Sequence, residues 1–133
     1  MPLAILAVGL GLAVAPQAHA AVFPRSAPPG QCRIVRGRMR LYNGTLSFRI
    51  WVIGTHRMLR VVNDDGDNFN DPETLPAPLA TAMRPFKADP AGFFGRTVLA
   101  RYWVCAFTKS RPGVMQSVNV TGATDIQVID DAP

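Results

Sequence analysis

Ile34-Val35-Arg36-Gly37-Arg38-Met39-Arg40-Leu41-Tyr42-Asn43-Gly44-Thr45-Leu46-Ser47-Phe48-Arg49-Ile50-Trp51-Val52-Ile53 is the stretch that decides the fold. Asn-Gly is the preferred pair for a type I′ hairpin turn, because both central positions of that turn need a positive φ. Here it separates two runs of strand-forming residues. A two-residue loop at Asn43-Gly44 pairs Leu41 with Leu46, Met39 with Phe48, Gly37 with Ile50 and Val35 with Val52. These residues form one apolar face. The opposite face pairs Tyr42 with Thr45, Arg40 with Ser47, Arg38 with Arg49, Arg36 with Trp51 and Ile34 with Ile53. The apolar set must face a core and the basic, aromatic set must face water. A slip of one residue would exchange the two, so the pattern fixes which side is which. Gly37 in mid-strand reads as a bulge or sharp bend.

Downstream, Gly54-Thr55 reads as a turn and Arg57 to Val62 as a third strand. Asn63 to Asp71 reads as an acidic loop, and Leu75 to Met83 as a short helix behind Pro76. Arg84 to Gly95, with two prolines and two glycines, is another loop. Arg96 to Phe107 is a long strand, and Arg111-Pro112-Gly113 turns the chain. Val114 to Thr121 is a fifth strand, and Asp125 to Ile129 a short sixth. Three strands, a helical stretch and two or three further strands is the order of an OB-type five-stranded barrel, whose helix lies between strands three and four. The expected fold is therefore all-β with one short helix and OB-type. A small β-sandwich is the alternative.

The chain has 133 residues, the size of a single domain. Residues 3–15 are uninterruptedly apolar, and Ala18-His19-Ala20 follows. That is a secretory h-region with a small-x-small cleavage site, and the run is shorter than the ~20 residues of a membrane span. The organisation read from this is a signal peptide over 1–20, a Pro-rich linker over 21–31 and one β domain over 32–130. A periplasmic or secreted location follows, with no stable membrane span. The net charge is +5, and 12 of the 14 basic residues are arginine. Such a charge favours anionic partners. In an exported protein these are envelope polymers or proteins rather than nucleic acid.

Two cysteines are present, Cys32 and Cys105. An oxidising compartment makes a disulfide the first reading and two free thiols the second. Cys32 shares parity with Ile34, Arg36 and Arg38. On the long strand Val98, Ala100, Tyr102, Val104 and Ala106 read inward, so Arg101, Trp103 and Cys105 read outward. In an OB-type barrel strands one and four are antiparallel neighbours. Both sulfurs then lie on one face, and Trp103 stands opposite Ile34.

Gly37-Arg38, Asn43-Gly44-Thr45, Arg49-Ile50-Trp51, Gly54-Thr55, Arg57, Val104-Cys105, Pro112-Gly113 and Met115-Gln116 together resemble the signature of a family of short exported bacterial proteins of unknown function. The resemblance covers most of Cys32 to Val120. It implies export, and it brings no activity and no site residues with it.

The candidate ligand-binding residues are Arg36, Arg38, Arg49, Tyr42, Trp51 and Trp103. Guanidinium groups interleaved with flat rings suit an anionic group beside a stacking ring. The plainer alternative is a solvated sheet face with Arg36 stacked on Trp51. The run Asn63-Asp64-Asp65-Gly66-Asp67-Asn68 places oxygens at calcium-loop positions 1, 3 and 5. It has Asn68 where the sharp-turn Gly belongs and Thr74 where the bidentate Glu belongs, so it reads as a solvated turn. His56 is the one imidazole left after cleavage, which leaves no Cys/His metal set. No nucleophile elbow or paired-carboxylate arrangement is present. The expectation is a non-enzymatic binding module without cofactor or metal. The alternative is a structural or accessory envelope protein with no small-molecule ligand.

Overall fold

The computed structural model describes residues 30–43, 47–63, 71–87 and 92–130. The leader read over 1–20, nearly all of the linker, most of the acidic loop and the hairpin tip 44–46 lie outside the described residues. Five strands carry the chain: β1 (Cys32–Tyr42), β2 (Ser47–Val52), β3 (Met58–Val61), β4 (Arg96–Ala106) and β5 (Gln116–Asp130). Among the described residues one α-helix, α1 (Ala77–Met83), lies between β3 and β4, with a single 3-10 turn on either side of it. Hydrogen bonding runs round a closed ring in the order β1-β2-β3-β5-β4 and back to β1. All neighbours are antiparallel except β3 and β5. One sheet closing on itself stands in place of the two facing sheets of a sandwich.

The alternation in β1 sets the inside of the ring. Val35, Gly37, Met39 and Leu41 are buried, while Arg36 and Arg38 are exposed. Phe48, Ile50 and Val52 of β2 and Val98, Ala100, Tyr102, Val104 and Ala106 of β4 complete the inward set as expected. Tyr102 is wholly buried and its hydroxyl donates to the Val98 carbonyl at 2.5 Å. This satisfies the polar end of an otherwise apolar side chain. Burial pushes its phenol well above the ordinary tyrosine range.

The hairpin register differs from the two-residue-loop expectation. Met39 stands opposite Ile50 rather than Phe48, and Leu41 opposite Phe48. The last pair is Tyr42 with Ser47, so four residues rather than two separate the strands. The shift is two residues, one full pleat, and so every side chain keeps its face. Gly37 makes no bulge. It pairs without interruption with Val52 on one side and Ala100 on the other. Its missing Cβ is what matters: a Cβ there would sit 2.3 Å from Ile50 Cγ2 and 3.1 Å from the Trp51 carbonyl oxygen.

The expected fifth and sixth strands are one strand. β5 runs through the gap by means of two irregularities in its pairing with β4. Asp125 and Ile126 oppose Ala100 alone, with Asp125 at φ 54°, and Thr121 is the extra residue between the pairs at Trp103 and Val104. Each bulge inserts one residue and flips the inward parity. Burial accordingly passes from Val118 and Val120 to Ala123. Broken alternation reads as two strands, although the backbone is continuous.

The helix closes one end of the ring. Pro76 and Pro78 sit at its start, where missing N–H groups cost nothing, and Pro85 ends it because it cannot donate into the next turn. Leu79 and Met83 enter the core, and Phe93 meets Phe48 edge-on with ring centroids 5.6 Å apart.

Cys32 and Cys105 are directly opposed across β1 and β4 and form a disulfide, with Cα atoms 3.9 Å apart. Ile34 faces Trp103 as expected. One step outward the Ala106 N–H donates to the Gln31 carbonyl at 2.8 Å and the Ala106 carbonyl accepts from the Gly30 N–H at 2.6 Å, so the bonds of this seam flank the cysteine pair.

Two outcomes follow. Phe48→Ala should cost about 3–5 kcal/mol in denaturant unfolding and Arg49→Ala about 1 kcal/mol or less; equal costs would refute the assignment of faces. Thiol titration of the denatured, unreduced protein should find no free thiol. Reduction should remove about 4 kcal/mol, the chain-entropy value for a cross-link spanning 73 residues.

Candidate functional site

The outward face of β1, β2 and β3 is built from arginine. The three strand sequences, CRIVRGRMRLY, SFRIWV and MLRV, contain no Asp or Glu. Pairing lines the arginines up across strands. Arg40 stands beside Arg49, and Arg49 beside Arg60. In the next row Arg38 stands beside Trp51 and Trp51 beside Met58. Like charges on directly opposed strand positions repel. Two of these guanidinium groups are relieved by rings. The Arg38 Cζ lies 5.4 Å from the centroid of Trp51, and that of Arg49 lies 5.0 Å from the centroid of Tyr42. Trp51 is itself held, its indole N–H donating to the Thr55 carbonyl at 2.8 Å. The Arg49 Nε–H is buried and meets no hydrogen-bond acceptor among the described residues.

These side chains border an open hollow of about 760 Å³, with Arg38, Arg40, Tyr42, Trp51, His56 and Met58 among its lining. Of the expected site residues, Arg38, Arg49, Tyr42 and Trp51 come together. Arg36 does not stack on Trp51, as the plainer alternative has it, because the two-residue shift gives Trp51 to Arg38. Arg36 stands beside Arg101 of β4 instead. Trp103 lies four residues farther along β1 and one strand over, beside Ile34, with its ring over Gly122 of β5. It therefore belongs to a separate exposed patch with Ile34 and Phe107. Arg40, which the sequence already puts on this face, lines the hollow, and Arg60, His56 and Met58 are contributors that the sequence did not assign to it. The third strand's side chains could have been added to the face by parity, since Leu59 and Val61 are inward and Arg60 is outward.

At the end of the ring opposite α1 lies a second polar group. Arg33, Arg57 and Gln116 all occupy inward-parity positions. Gln116 is buried, and its Oε1 accepts from the Nη2 groups of Arg33 at 3.2 Å and Arg57 at 3.1 Å. Its Nε2 donates to the Thr108 carbonyl at 3.0 Å. Arg57 Nη2 also donates to Ser110 Oγ at 3.0 Å. Burial first, and the Arg57 charge second, lower the pKa of Arg33 from the ordinary arginine value. A neutral amide thus closes this end of the core by holding two cations.

Asn63, the first residue of the calcium-like run, has its side chain committed elsewhere. Its Oδ1 accepts from the Val120 N–H and its Nδ2 donates to the Val120 carbonyl, both at 2.6 Å. The amide extends the β3–β5 pairing by one rung. Among the described residues no group of three His, Cys, Asp or Glu side chains gathers to hold a metal, and no helix is long and apolar enough to cross a membrane.

Comparison with protein-family models, with curated proteins and with solved structures finds no match. The site is therefore interpreted from its own geometry.

Gln116→Leu should cost about 1–3 kcal/mol in urea unfolding, because it removes the amide oxygen that accepts from two half-buried guanidinium groups while keeping the volume. A variant as stable as the parent would show that the amide holds neither arginine.

Proposed function

We propose that the mature chain is an exported, OB-type binding module that takes an anionic envelope ligand or partner on the arginine/aromatic face of β1 and β2. The observation that carries this reading is the row Arg40–Arg49–Arg60 beside Arg38 and Trp51, on strands without a single carboxylate. Arg38 and Arg49, each set against a ring rather than a carboxylate, give this face a positive charge that attracts an anion. The rings of Tyr42 and Trp51 give a planar group something to stack on. The OB-type assignment is supported by the strand order, by the parallel β3–β5 pair and by the helix between β3 and β4. The disulfide fits a non-cytoplasmic location. The apolar leader with Ala18 and Ala20 supports export and cleavage after Ala20.

A second reading, an accessory envelope protein that contacts another protein, is favoured by one observation. Ile34, Trp103 and Phe107 lie exposed around the disulfide on the β1–β4 side, away from the arginine rows.

The test is a pull-down from envelope extract at low and high salt, using mature protein whose N-terminus mass spectrometry should place at Ala21. Arg36, Arg38 and Arg49 changed together to Gln should leave the circular dichroism spectrum and thermal unfolding nearly unchanged. The variant should lose a partner that wild type holds at low salt and releases at high salt. Undiminished capture by the triple variant would eliminate this face. Capture that is insensitive to salt and lost on Trp103→Ser would select the second reading.

A further inference from the structure

We propose that the hollow at the Gln116 end of the ring is a separate binding site for a carboxylate carried on a single apolar chain. The hollow has a volume of about 600 Å³ and lies between the β2–β3 turn and the β4–β5 connection. One side of it is cationic. Arg57 lines it, with Arg111 and His56 nearby. Both hydrogen-bond partners of the Arg57 guanidinium, Ser110 and Gln116, are neutral. Both bonds leave from Nη2, so the Nε–H and Nη1–H groups remain for an incoming oxygen. The charge is fixed in place, and among the described residues the guanidinium meets no carboxylate.

The other side is apolar. Met58, Pro112, Val114 and Met115 line it, and Val114 and Met115 are 62% and 37% exposed. These side chains sit on a connection that is held rather than loose. Arg111 and Val114 pair across Pro112-Gly113, with Gly113 at φ 72° as that turn requires. Behind the turn, Phe107 N–H and Thr108 N–H donate to the Ser117 carbonyl, and the Ser117 N–H donates to Thr108 Oγ1. The apolar wall is therefore presented at little ordering cost, which favours binding. One guanidinium beside a short apolar wall in a cavity of this size matches one carboxylate and one slender chain. It does not match a polymer of repeating charges. Met58 and His56 also border the hollow at Trp51, yet Arg36, Arg38 and Arg49 take no part here.

The test is isothermal titration of the full mature protein with octanoate, octanol, protonated octylamine and acetate. Octanoate should saturate one site per chain, and the other three should bind at least tenfold more weakly. Arg57→Gln should weaken octanoate at least tenfold. Gln116→Glu, which supplies the carboxylate from within, should do the same without lowering thermal stability. Met115→Ser changes an exposed side chain, keeps the fold and should weaken octanoate several-fold while leaving acetate unaltered. Absence of octanoate binding, equal binding of octanol or acetate, or a Met115→Ser protein indistinguishable from wild type would each overturn the proposal. The triple arginine variant of the sheet face should bind octanoate as wild type does, so the two sites stand or fall separately.

Discussion

The two-sidedness of β1 is the constraint on which the rest of the molecule depends. Its residues 37–42 pair with β2 along one edge and residues 32–39 with β4 along the other, so that Gly37, Arg38 and Met39 are held on both. A strand held on both edges has no freedom to rotate, so its even and odd positions are committed to opposite environments. Gly37 sharpens the commitment. At the point where β1 is paired on both sides, Ile50 and Tyr102 reach across the space a side chain would take. The interior is thereby filled by large residues from the flanking strands, and the outward positions of β1 become the stage for its arginines. Core and cationic face are two consequences of one pleat.

Much of this was legible in the sequence because parity tolerates certain errors. Asn43-Gly44 invites a two-residue loop, and the strands actually separate by four. The two arrangements differ by a whole pleat, so Met39, Phe48, Arg38 and Arg49 fall on the same faces under both. What the shift does change is which arginine meets which ring, and so Arg38, not Arg36, lies over Trp51. The cross-strand partnership of Cys32 with Cys105 and of Ile34 with Trp103 was readable for the same reason, since both strands alternate cleanly near that seam. β5 was not readable as a single strand. Its bulges at Thr121 and Asp125 flip the inward set twice, and a period-2 pattern cannot be followed through a flip. The polar group at Gln116 escaped notice because it joins residues 33, 57 and 116, and nothing local marks them as neighbours.

The two ends of the ring are finished by opposite means. At one, α1 brings Leu79 and Met83 into the core, and the closure is apolar. At the other, Gln116 holds two arginines, and the closure is cationic. The sheet face between them adds five outward arginines, at positions 36, 38, 40, 49 and 60, without an acid among the three strands. Among the described residues, positive charge is thus concentrated on one flank and one end. The Glu73–Arg84 and Lys87–Asp71 ion pairs gather around the helix. Among the described residues the charges are thus sorted by place, with arginine on the sheet face and paired acids beside the helix.

The disulfide joins the first strand of the domain to the end of the fourth. Everything between residues 32 and 105, including β2, β3, the helix and the loops around it, therefore lies within a covalent circle. A protease that cuts once inside that circle opens the chain but frees no piece of it. Both new ends remain tied at the β1–β4 seam, within reach of the sheet they left. For a domain this small, the bond converts a severing event into a nick.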